Sequence, residues 1–241
     1  MPTLLELLNQ LKFITYETAL LGLFITAGII LVMRDWRFLI LTLLIQYILE
    51  GIILLRLVRP DIAVLEVLVG AFICPVLFLS ARQVSVSALP VYDYPEYWQD
   101  HRRWKLLRWS QRLLAGLFSG GVQRSQRTAA TGSIFRVFIA LMMILVTLTL
   151  SSTFPLPNLP GSVTTAVYWL ILAGLTVLIL TENPIKAGHG LLTALSGFSL
   201  FYSTLERSLL LTGLWGTVNL LIALAIGYLT VVKGATPEEE L

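Results

Sequence analysis

Seven long stretches of the sequence consist almost entirely of apolar residues, and polar or turn-forming connections separate them. Each stretch is close to the roughly 20 residues that an α-helix needs to cross the hydrocarbon core of a bilayer. The stretches are 14–33, 38–58, 62–82, 135–153, 164–181, 185–204 and 208–231. The pattern therefore predicts an all-α, polytopic membrane protein with about seven transmembrane helices.

The composition supports this class of protein. Of the 241 residues, 56% are hydrophobic and only 13% are charged, and the mean hydropathy is +0.82. Lys12 precedes the first apolar stretch and no small-residue cleavage site is present, so we expect a retained helix and not a cleaved signal peptide. The single cysteine, Cys74, excludes an internal disulfide bond and a multi-cysteine metal site.

A basic segment, 83–134, divides the chain into a three-helix membrane unit, 1–82, and a four-helix membrane unit, 135–241. Within 101–117, apolar residues recur at helical spacing among arginines. This pattern predicts an amphipathic helix that lies in the cytoplasmic headgroup layer of the lipid bilayer. The alternative is a docking surface for a cytoplasmic partner. Nucleic-acid binding is not expected, because the basic stretch is short and tethered to the membrane.

The distribution of basic residues predicts the orientation. The segment 83–134 is rich in arginine, and the positive-inside rule places such a segment in the cytoplasm. Arg34, Arg37 and Lys233 agree with this orientation, whereas the pair Arg56 and Arg59 disagrees. We therefore expect a multi-pass protein of the cell inner membrane, with its N-terminus outside and its C-terminus in the cytoplasm.

Two glutamates lie inside apolar stretches. Inserting a charged residue at the centre of a membrane helix costs roughly 2.5–3.5 kcal/mol, and such residues by default mark an ion pathway. Glu66 is the fifth residue of the third stretch, 62–82. Glu50 lies in the second stretch, one turn after Gln46 on the same helix face. The alternatives are that Glu66 only fixes helix packing, and that Glu50 is partly solvated or paired with Arg56.

Several residues around Glu66 are of the types that favour the start and the close packing of a membrane helix. Pro60 suits the first turn of a helix, where its missing N–H is not needed, and Asp61 interacts favourably with the positive end of the helix dipole. We also count Asp61 among the candidate residues of the proton or cation pathway. Gly70, four residues after Glu66, leaves room on the same face for a neighbouring helix or for water. Pro75 removes a backbone donor in the middle of the stretch, and we expect it to bend or break the helix.

The run from Pro60 to Ala71 resembles a signature of small membrane subunits in Mrp-type multisubunit cation/proton antiporters and membrane-bound hydrogenases, with a more distant relative in complex I. The matching positions are Pro60, Asp61, Ala63, Glu66 and Gly70. The resemblance implies that residues 1–82 add a buried carboxylate to a chain of polar groups along the membrane. It also implies partners, namely the other hydrophobic subunits of a hetero-oligomeric membrane complex.

The stretches after 164 are similar to the small three-helix subunit of complex I and its Mrp counterpart. Where complex I places a membrane glutamate, this chain has Leu192, and the last stretch offers only Thr217 and Asn219. A direct proton-relay role for this half is therefore not implied. Lys186 and His189 share a helix face and form either an interfacial cluster, with Glu182 as the ion-pair partner of Lys186, or an entry for protons.

No catalytic motif is present in the sequence. There is no phosphate-binding glycine loop, no paired-histidine metal motif and no nucleophile elbow, so we expect no cofactor, no metal and no catalytic centre in this chain. The leading hypothesis is a membrane subunit of a multisubunit ion-translocating complex. The alternatives are a non-conducting assembly subunit and a free-standing secondary transporter, which is disfavoured because inverted repeats with interrupted helices are not evident.

Overall fold

The computed structural model describes residues 16–33, 35–87, 133–206 and 208–235. This part of the chain forms seven α-helices and contains no strand. The helices are α1 Tyr16–Val32, α2 Trp36–Leu57, α3 Pro60–Ser87, α4 Ser133–Thr153, α5 Gly161–Leu180, α6 Pro184–Leu205 and α7 Leu209–Ala235. The all-α architecture expected from the sequence is confirmed. The predicted interfacial helix within 101–117 lies outside the described residues.

Five of the helices, α2, α3, α4, α5 and α7, are long and apolar enough to cross a membrane, as expected of a multi-pass membrane protein. The apolar helix α1 has only 17 residues, and α6 is long enough but carries many polar side chains. Most of the large apolar side chains that the bundle leaves exposed lie on these five long apolar helices, α2, α3, α4, α5 and α7. Of the five, α4 is the least buried.

Local signals in the sequence explain where two of the helices begin. The Asp35 carboxylate accepts a hydrogen bond from the Arg37 N–H and caps α2. The Asn183 side chain accepts from the Ile185 N–H at 3.0 Å and caps α6, whose first residue is Pro184. Both caps satisfy a backbone donor that has no partner within its own helix.

Pro75 does not break the third helix, although a break was one expectation from the sequence. α3 continues through Pro75 to Ser87. Proline removes one backbone hydrogen bond, but the bonds on both sides persist, and prolines are tolerated inside membrane helices. Pro75 is exposed on the outside of the bundle, so its ring faces away from the neighbouring helices.

Helices that a short connection joins run antiparallel. The connections therefore gather at two opposite ends of the bundle. We call the end that carries the connections 58–59, 154–160 and 206–208 the Asp61 end. The opposite end, with the connections 33–35 and 181–183, is the Lys186 end. The segment 88–132 leaves α3 and enters α4 at the Lys186 end.

Helix α6 lies at the centre of the bundle, where it contacts α1, α2, α3, α5 and α7. Its most extensive partner is α5, and glycines make the close approach possible. A Cβ atom added at Gly174 of α5 would lie 2.5 Å from the backbone of both Ala194 and Gly190 in α6. Small residues at helix contacts are the usual means of tight packing in membranes. The polar helix is therefore shielded by its apolar neighbours.

Candidate functional site

Glu50 and Gln46 occupy one face of α2, and both side chains are completely buried. The Gln46 Nε2 group donates a hydrogen bond to the Ser196 hydroxyl of α6 at 3.2 Å, and that hydroxyl donates to Glu50 Oε2. A directed chain of hydrogen bonds therefore joins an amide, a hydroxyl and a carboxyl group across two helices. Glu50 is not solvated at the bundle end, and Arg56 is exposed, so the alternative of a solvated or Arg56-paired Glu50 is wrong.

Glu66 on α3 completes a buried polar cluster with these residues. Its carboxyl group is fully buried, lies within electrostatic range of Glu50, and has the Ser199 hydroxyl of α6 beside it. Neither Glu66 oxygen has the geometry of a hydrogen bond to any residue in the described part of the chain. Tyr47 is buried between the two acids and interacts electrostatically with both. The cluster therefore contains two carboxyl groups in the buried interior of the bundle.

Glycines bring α2 and α3 close enough for the two acids to share one site. Tyr47 packs directly on Gly70, where an added Cβ atom would lie 2.5 Å from the Tyr47 Cβ atom. Gly51 similarly admits the Val67 side chain. The space that Gly70 leaves on the Glu66 face is thus filled by a neighbouring helix.

A stripe of buried polar side chains extends from the cluster along α6. Its members are three or four residues apart, so they share one face of the helix, and each is at most 6% exposed. The polar stripe consists of Lys186, His189, Thr193, Ser196, Ser199 and Ser203. Over 17 residues the rise of 1.5 Å per residue gives it a length of about 25 Å, most of the thickness of a hydrocarbon core.

Lys186 and His189 lie at the end of the stripe remote from the acids. The Lys186 side chain is buried, and its amine donates to the carbonyl oxygens of Leu31 at 3.3 Å and Met33 at 2.5 Å. These carbonyls end α1 and have no acceptor role within that helix, so the amine caps it. Glu182, the expected ion-pair partner of Lys186, lies in the connection just before α6.

Asp61 lies outside the cluster. Its carboxylate pairs with the Arg59 guanidinium at 2.7 Å, where the two side chains are 32% and 61% exposed, and it accepts a hydrogen bond from the Ile62 N–H. An exposed ion pair of this kind contributes little to stability, about 0–1 kcal/mol. The structure therefore brings Glu50 and Glu66 together and places Asp61 at the surface, about 7.5 Å along α3 from Glu66.

Sequence reasoning missed Tyr47, Ser196 and Ser199. Tyr47 gives no periodic signal, because it is one aromatic residue within an apolar helix. The two serines could have been found, because polar residues recur at spacings of three and four between His189 and Ser203 in an otherwise apolar stretch. That pattern indicates a helix face turned toward protein and away from lipid.

Comparison of the chain with known protein families, with curated proteins and with solved structures finds no match. The chemistry of the site therefore has to be inferred from its own residues. Within residues 16–33, 35–87, 133–206 and 208–235, no group of three or more His, Cys, Asp or Glu side chains could hold a metal ion. Carboxyl groups, hydroxyls and an imidazole can accept, hold and release protons, and two carboxyl groups together can attract a cation.

Proposed function

We propose that this protein is a membrane subunit of a multisubunit ion-translocating complex of the Mrp antiporter, hydrogenase or complex I-like type. Glu50 and Glu66 contribute to the proton or cation pathway of that complex. The observation that supports this proposal is the burial of both carboxyl groups, side by side, at the centre of a bundle of membrane-type helices.

The energetics favour a functional role for the pair. An ionised carboxylate that leaves water for a protein interior costs several kcal/mol unless it is paired, and no ion pair to either glutamate occurs among the described residues. Two such groups placed together are expensive for packing alone, because apolar residues of similar volume would fill the same space at lower cost. The resemblance of residues 60–71 to antiporter subunits points to the same role.

We also propose that all seven helices cross the cell inner membrane, with the N-terminus outside and the Lys186 end in the cytoplasm. Shielding of α6 by its neighbours removes the need for an apolar surface on that helix. The arginine-rich segment 88–132 joins the bundle at the Lys186 end, and the positive-inside rule assigns that end to the cytoplasm.

The test is purification of the full chain in mild detergent with whatever hydrophobic subunits accompany it, followed by reconstitution into vesicles that contain a pH-sensitive dye. Glu66→Gln keeps the side-chain volume and a hydrogen-bonding group but removes the titratable site. We expect the complex to assemble normally and proton movement driven by an imposed ion gradient to fall at least tenfold. Glu66→Asp, with the carboxyl group retained on a shorter side chain, should keep part of the activity.

Glu17→Gln is the matched control, because it removes an exposed carboxylate in the first turn of α1. It should leave both assembly and proton movement unchanged. A Glu66→Gln complex that assembles and moves protons at the normal rate would show that Glu66 serves packing only.

The second candidate function is a non-conducting assembly subunit. The hydrogen bond from Ser196 to Glu50 favours it, because it joins α2 to α6 as polar side chains do in membrane helix packing. In that case Glu50→Gln and Glu66→Gln would both be fully active, since glutamine still offers an acceptor. Loss of the accompanying subunits on Ser196→Ala would then be the main effect.

A further inference from the structure

We propose that the polar stripe of α6 is a water-containing proton path that leads from His189, near the Lys186 end, into the bundle as far as the Glu50–Glu66 pair. This inference deepens the proposed function and rests on it. It assigns to this chain a route by which protons reach the buried pair, in addition to the pair itself.

Several hydroxyl groups of the stripe lack the hydrogen bond that most described serines and threonines elsewhere in the bundle make; Thr164 on α5 lacks it too. Threonines and serines inside helices commonly donate to a carbonyl three or four residues earlier, as Thr26 and Thr176 do here. Thr193 and Ser203 are almost completely buried, yet their hydroxyls have no hydrogen-bond partner among the described residues. The Ser199 hydroxyl is also buried and lies beside the Glu66 carboxyl group, without the geometry of a full hydrogen bond to it. Burying a hydroxyl without a hydrogen-bond partner is energetically unfavourable. Water is the partner that satisfies such groups in protein interiors.

The spacing of the stripe suits single water molecules. Successive members are three or four residues apart, which corresponds to about 4.5–6 Å along the helix axis. A water molecule that makes two hydrogen bonds of about 2.8 Å links groups at most about 5.6 Å apart. One or two waters between neighbouring polar groups therefore give a continuous chain from His189 through Thr193 to Ser196.

The geometry of His189 fixes its role in this chain. Its Nδ1 atom lies 2.7 Å from the Ile185 carbonyl oxygen, and a carbonyl can only accept, so Nδ1 carries the hydrogen. In the neutral ring, Nε2 is then the bare acceptor, and it is buried with no partner among the described residues. Nε2 therefore accepts a hydrogen bond from the first water of the chain and orients that water toward Thr193, while the imidazole itself stays neutral.

The remaining steps, from the first water to Glu50, transfer protons without changing the number of O–H bonds on the intervening waters and hydroxyls or their charge. Each water or hydroxyl accepts one proton on one side and releases another on the opposite side. Ser196 already donates to Glu50 and accepts from Gln46, so it delivers the proton to a carboxyl oxygen. The net change is one proton removed from water near His189 and one proton added to the carboxyl pair.

Silver ions provide a test that does not depend on activity, because they are small and react with thiols that water reaches. The experiment uses the full chain in its native membrane with Cys74→Ala, which removes the only cysteine. Thr193→Cys and Ser199→Cys place thiols on the stripe. Leu192→Cys and Leu200→Cys are matched controls, because these neighbours on the same helix are equally buried but apolar.

We expect silver to protect the two stripe cysteines from later maleimide labelling at least tenfold faster than the two controls. Equal rates at all four positions would overturn the path. Reaction of Ser199→Cys without reaction of Thr193→Cys would also overturn it, because the water would then stop at the acids.

The outcomes separate this path from the proposed function. If Glu66→Gln abolishes proton movement while silver shows no contrast between the positions, the proposed function stands and the path is wrong. If silver shows the contrast and the Glu66→Gln complex is fully active, the water path exists and the role of the carboxyl pair is wrong.

Discussion

Replacing Gly174 by alanine tests whether the contact between α5 and α6 positions the polar stripe. The added Cβ atom would lie 2.5 Å from the Ala194 nitrogen and the Gly190 oxygen and 2.8 Å from the Ala194 Cβ atom. All three are backbone or Cβ atoms, so no side-chain rotation can relieve the overlap. Ordinary contact begins at 3.4 Å, and the two helices must therefore separate locally by about 0.9 Å.

The expected destabilisation follows from that separation. Overpacking of this kind typically costs about 1–3 kcal/mol, and a gap of 0.5–1 Å forfeits roughly a quarter to a half of each neighbouring van der Waals attraction. Alanine gains back about 0.8–1 kcal/mol from its higher helix propensity. Because backbone atoms are involved, we place the overpacking cost at the upper end. The net loss in the free energy of unfolding is then about 1–2 kcal/mol.

The assay is unfolding of the purified chain in mixed detergent micelles with increasing SDS, followed by circular dichroism. Gly28→Ala is the matched control, because its added Cβ atom meets only the Trp169 ring at 3.9 Å. The control should be neutral or slightly more stable than the original chain. A Gly174→Ala protein as stable as the Gly28→Ala protein would refute the packing that the structure shows between α5 and α6.

Two further predictions concern the site and the topology. In a double-mutant cycle of Ser196→Ala and Glu50→Leu, the coupling free energy should be about 0.6 kcal/mol, the mean for side-chain hydrogen bonds in membranes, and at most about 1.7 kcal/mol. Additive effects of the two substitutions would show that the hydrogen bond contributes nothing. Reporter fusions after Leu241 and near Arg112 should both report the cytoplasm, and a signal from the opposite side at either position would reverse the proposed orientation.

The sequence alone determined the helices and the acids. Continuous apolar stretches of about 20 residues form helices in a bilayer, because a helix satisfies each backbone polar group within its own segment. The positions of Glu50 and Glu66 inside such stretches marked them as buried, and Gln46 was correctly placed on the Glu50 face. The burial of Lys186 and the partial exposure of Asp61 could not be predicted from the apolar pattern, since both residues lie near helix ends.

Only the tertiary structure decided which polar groups meet. Ser196 and Glu50 are 146 positions apart in the chain, and no local periodicity shows that α6 rather than another helix faces α2. Likewise, the 17-residue α1 ends where Lys186 can reach its last carbonyls only because α6 starts at the same end of the bundle. Helical spacing fixes which residues share a face, but the choice of the opposing face depends on how side chains of distant segments pack together.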